Sequence, residues 1–85
     1  MSAFISTQSR RFDEVVQVER HAFAAKVRLT RAVLGWSQSE LSLRVGLTQR
    51  AIHKLEQGET EPRHTTVRAL DEIWRTQDIE FVGLG

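Results

Sequence analysis

Cysteine is absent from the 85-residue chain, which excludes disulfide staples and thiolate metal sites and fits a reducing compartment. Proline occurs once, at Pro62, and glycine five times, at Gly35, Gly46, Gly58, Gly83 and Gly85. So few breakers, in a chain where leucine, arginine, glutamate and alanine are prominent, predict a mostly helical fold. No apolar run approaches the ~20 residues of a membrane span, and the N-terminus lacks the basic-then-apolar order of a secretory signal. The expectation is a soluble, cytoplasmic protein without membrane contacts. No Gly-rich phosphate loop appears, since Gly46 and Gly58 each suit a helix boundary. His21, His53 and His64 lack metal-ligand spacing, and Ser37 and Ser39 are better explained by capping and solvent than by nucleophilic chemistry. No enzyme activity, cofactor or metal is expected.

What is present is an uneven charge. The formal net charge is only +1. Residues 1–25 balance to zero, residues 26–55 carry +5, and residues 56–85 carry three arginines against seven acids. A basic middle beside an acidic tail predicts one polyanion-facing surface rather than a uniformly adhesive protein. A chain of this length is one domain that buries only about 60% of its unfolded surface, which favours association with a second copy.

The hydrophobic period sets out the helices. Phe23, Val27, Thr30, Val33 and Leu34 follow a 3.6-residue repeat that ends at Gly35, and Phe12, Val15, Val16 and Glu19 extend it backward, predicting one long helix from about Phe12. The alternative is a strand over the β-branched stretch around Val15–Val18. Ser37 caps a second helix, with Glu40 placed to complete a capping box and Leu41 and Val45 inward. Gly46 makes the turn, Thr48 caps a third helix that buries Ala51, Ile52 and Leu55, and Gly58 ends it. A fourth helix begins near Thr65 or Thr66 and buries Val67, Leu70, Ile73 and Trp74. Ile79–Leu84 reads as a short strand. Its backbone needs a neighbour, either Ala3–Ser6 or the same strand of a second copy, and twofold symmetry favours the latter.

The segment from Gln38 to Gln57 has the layout of a helix-turn-helix. Leu41, Val45, Leu47, Ile52 and Leu55 form its inner seam. With Ile52 inward at 100° per residue, Gln49, Arg50, His53, Lys54 and Gln57 spread over the opposite arc. Amide and guanidinium groups on a protruding helix suit base edges, since glutamine pairs with adenine and arginine with guanine through two hydrogen bonds each.

Residues Phe23 to Trp74 resemble the Cro/C1 or Xre family of phage-repressor-like proteins. The likeness is carried by Gly35-Trp36-Ser37-Gln38, Glu40-Leu41, Val45-Gly46-Leu47-Thr48, Ala51-Ile52, Leu55-Glu56 and Gly58, followed by Pro62, Thr66 and Leu70. It implies an all-α, lambda-repressor-like domain of four to five helices, here with a short C-terminal β-strand. The organisation is then an N-terminal extension at 1–22, a DNA-binding domain at 23–76 and a dimerising strand at 77–85. The resemblance also implies residue roles. Gln49, Arg50, Lys54 and His53 would read bases, while Gln38, Thr48, Arg63 and His64 would contact the DNA backbone. Arg31 and Glu56 would form a structural ion pair. Apart from the resemblance, the terminal strand and Trp74 leave the recognition face free, so Trp74, Ile79, Phe81 and Val82 are expected to seal a homodimer. Two departures stand out. Glu59 and Glu61 occupy a loop where relatives often carry basic residues, and His53 stands where many have serine.

The function so implied is a sequence-specific transcriptional regulator of the repressor kind, acting as a homodimer on a palindromic operator in double-stranded DNA. One alternative is an antitoxin that represses its own operon and binds a toxin protein. Another is a protein-interaction module that has lost DNA binding, the reading that Glu59 and Glu61 favour. The pair Arg10-Arg11 is a solvated patch or, less simply, a minor-groove arm.

Overall fold

The computed structural model describes the backbone of residues 2–83 and the side chains of residues 18–83. Four helices follow in order: α1 Ser2–Leu34, α2 Gln38–Val45, α3 Gln49–Glu56 and α4 His64–Thr76. Side chains of Phe12, Val15, Val16, Arg10 and Arg11 lie outside the described residues, as does Leu84.

Local chemistry fixes the short helices. The Ser37 hydroxyl accepts from the Glu40 backbone amide at 3.0 Å, and the Thr48 hydroxyl accepts from that of Ala51 at 3.1 Å. Each satisfies one of the amides that a helix start leaves without a partner. Between them Gly46 stands at φ +72°, a left-handed conformation that a β-carbon would disfavour. The Leu47 amide then returns to the Ser42 carbonyl at 2.9 Å. This closes α2 and sets α3 off at once in a new direction.

The core is Val27 of α1, Leu41 of α2, Ile52 and Leu55 of α3 and Leu70 of α4, with Phe23, Trp36, Val45, Leu47, Ile73 and Trp74 packed around it. Each helix therefore sends at least one residue to a shared centre, which holds α3 by its inner side. Gly58, at φ +71°, ends the third helix against α1, where a β-carbon would meet the His21 ring nitrogen Nδ1 at 2.7 Å.

Four expectations require correction. α1 begins at Ser2, well before Phe12. Val33 does not join the core and is 68% exposed. It lies about 120° around α1 from Val27, and Ala24 takes the inward position instead. No strand forms among the described residues of the tail, and Ala3–Ser6 is helical. An isolated strand would leave its backbone groups without partners. The tail folds back instead: Asp78 adopts φ +56°, and the Ile79 amide donates to the Trp74 carbonyl at 2.8 Å. Phe81 then packs edge-on against Trp74, with centroids 5.2 Å apart, and Lys26 of α1 lies 5.8 Å from the Phe81 ring. Finally, α4 starts slightly earlier than the sequence suggests, at His64.

Candidate nucleic-acid interface

α3 is a two-sided element. Its inner side carries Ile52 and Leu55 into the core, and its outer side carries Gln49, Arg50 and His53, all exposed. These three meet Gln38, from the start of α2, around one open hollow. The juxtaposition follows from the tight turn at Gly46, which returns the start of α2 beside the middle of α3.

The other residues singled out from the sequence do not share that hollow. Lys54 is half-buried and lies with Thr48 and Arg63 in a separate cleft of about 350 Å³ between α3 and the loop before α4. Glu61 lines the same cleft and places an acid beside the two bases. His64 is exposed at the start of α4, outside both depressions. The Thr48 hydroxyl is engaged as the helix cap, as described above.

Beneath the outer face of α3, Glu56 ties three segments together. Its carboxylate accepts from Arg31 Nε at 2.5 Å, from a terminal Arg31 nitrogen at 2.9 Å and from the Gln38 amide at 3.0 Å. Arg31 also donates to the Trp36 carbonyl at 3.1 Å, and Arg28 donates to the Glu56 carbonyl at 2.5 Å. Glu56 is only 2% exposed. Burial alone pushes its pKa up, but hydrogen bonds from Arg31 and Gln38 and the charges of Arg31 and Arg28 outweigh that, leaving it below its ordinary value. The bond to Glu56 correspondingly holds the Arg31 pKa above its ordinary value.

This arrangement gives Gln38 a second occupation. Its Nε2 serves Glu56 and also lies 3.5 Å from His53 Nδ1, so it joins the buried carboxylate to the exposed ring. The parts of this network that sequence reasoning missed are Arg28, the Arg31–Trp36 bond and the contacts of Gln38 with Glu56 and His53. Arg28 had a signal, being one turn before Arg31 on the same side of α1. The Gln38–His53 contact had none, because it depends on how two helices cross. Trp36 carries a further feature: the Arg44 guanidinium stacks 4.0 Å above its ring, which anchors the indole within the chain.

Among the described residues, no helix is long and apolar enough to cross a membrane. Residues 22–81 match the family model described as a helix-turn-helix domain. No curated protein and no solved structure is significantly similar to the chain.

Proposed function

The chain belongs to the helix-turn-helix domain family, a DNA-binding fold, and from that premise we propose that it is a sequence-specific transcriptional regulator of the Cro/C1 type. It acts as a repressor and binds a palindromic operator as a homodimer. The observation that carries this reading is the exposed cluster of Gln49, Arg50 and His53 on a helix anchored by Ile52 and Leu55. A helix presented in this way fits the major groove, with its first residues at the base edges. Gln38 approaches a phosphate beside the start of α2, where the helix dipole favours an anion. Lys54, Thr48 and Arg63 serve the flanking backbone from the neighbouring cleft.

Selection of bound fragments from random duplex DNA tests the reading directly. The expected outcome is an inverted-repeat motif whose enrichment is lost with Arg50→Ala or Gln49→Ala. Enrichment of no motif by the unaltered protein would refute sequence-specific regulation. Glu59 and Glu61, both exposed near the Lys54 cleft, favour one other reading, an interaction module that has shed DNA. Binding to duplex DNA that falls steeply as salt rises counts against that alternative.

A further inference from the structure

Over residues 18–34, the side of α1 that faces away from the bundle is apolar without interruption. At 100° per residue, Ala32, Ala25, Val18, Leu29, Ala22 and Val33 fall within an arc of about 100° opposite the buried Val27, and no polar residue from 18 to 34 shares that arc. Val18 and Val33 are each 68% exposed, and Leu29 is 44% exposed. The bundle occupies the flanks on both sides and leaves this stripe open. On one flank Trp74 donates to the Thr30 hydroxyl at 2.7 Å and Phe81 lies by Lys26. On the other, Arg28 and Arg31 bond Glu56, and His21 abuts Gly58.

The spacing of the stripe identifies what fits it. Positions 18, 22, 25, 29 and 32 alternate steps of four and three residues, the 3.5-residue repeat by which one helix keeps a straight seam toward another. We propose that this face is a homodimer interface in which α1 pairs antiparallel with α1 of a second copy. The inference rests on the regulator reading above and assigns it a mode of dimerisation.

An antiparallel overlay about the point midway between Ala22 and Ala25 sets these small residues across from each other, where close axes are needed. Val18 then faces the partner's Leu29 at each end. The rim is complementary too, because Glu19 comes beside the partner's Lys26, twice by symmetry. In a parallel pair Lys26 falls across from His21, and no opposite charge meets it. The symmetry has a further result. Antiparallel helices are exchanged by a twofold perpendicular to the plane of their axes, and that rotation leaves α3, which meets α1 on the Arg28 and Arg31 flank, on the same side of the plane in both copies. Both copies of α3 then lie on one side of the pair, as two half-sites on one side of a duplex require.

Sedimentation of the full chain at about 100 μM, above the micromolar dissociation constants of small interfaces, tests the proposal. The unaltered protein is expected to be a dimer, and Val18→Glu and Leu29→Lys each a monomer with unchanged helical circular dichroism. An equimolar mixture of the two variants is expected to dimerise again, because the new acid faces the new base. A monomeric unaltered protein overturns the proposal. So does a Val18→Glu variant that stays dimeric, and so does a mixture that stays monomeric. Val18 is exposed enough that its variant alone decides whether this face matters if Leu29→Lys fails to fold. A gel-shift assay on the same samples separates the two readings. A dimer abolished by Val18→Glu that binds no duplex supports this interface and sinks the regulator. A monomer that shifts duplex DNA does the reverse.

Discussion

The two sides of α3 differ in how their polar atoms are engaged. On the inner flank, Glu56 is buried and bonded to Arg31 and Gln38. On the outer arc, Gln49 and Arg50 are exposed and make no side-chain hydrogen bond among the described residues. Charge alone does not separate these roles, since both sides carry ionisable groups. What separates them is whether the chain itself satisfies the group. A satisfied buried charge holds helices at fixed angles, whereas an unsatisfied exposed one is available to a partner.

The largest expected effect comes from the inner flank. Glu56→Ala leaves Arg31 beside the core without its partner and should cost about 3–5 kcal/mol, read from the urea midpoint. The same group gives a pH signature. Because its pKa is lower folded than unfolded, its stabilisation is complete above the ordinary glutamate value and is lost as pH falls through the folded value. Glu72, held low by Arg75 on the surface, contributes in the same sense. Subtracting the acid unfolding profile of Glu56→Gln from that of the unaltered protein isolates the buried group, and identical profiles would remove it as a contributor.

Next in size, Arg50→Ala should lose about 1–3 kcal/mol of discrimination between operator and random duplex. Its folding stability, read from the thermal midpoint, should stay within the roughly ±0.5 kcal/mol typical of surface changes. A large stability loss there would erase the contrast between the two sides. Gln38→Ala sharpens it, because this side chain serves both. It should weaken binding alike on all sequences and also lower stability, by about 1.5–3 kcal/mol for a hydrogen bond to a charged group. The smallest effect is expected for Thr48→Ala, about 1 kcal/mol for one lost cap, measured by denaturant titration.

How much of this was legible depended on the range of the interaction. The Ser37 and Thr48 caps and the turn at Gly46 could be read because their partners lie within a few residues. The seam of Ile52 and Leu55 was equally plain, since α3 has one apolar side. Val33 was misplaced because α1 has two apolar sides, and periodicity alone does not say which one the bundle covers. The tail was misread for a different reason. Its β-branched and aromatic residues suit a strand, but Phe81 found Trp74 as a packing partner within the same chain. The meeting of Gln38, His53 and Glu56 was invisible, as it exists only once α2 and α3 have crossed.

Gly58 shows how a missing side chain can shape the end of a helix. With φ at +71° and the His21 ring where a methyl group would have to go, any larger residue strains the backbone and displaces that exposed ring. Gly58 stands two residues beyond Glu56, which Arg28 and Arg31 clamp from α1. The end of the helix that presents the exposed arc is therefore set by a residue with no side chain of its own.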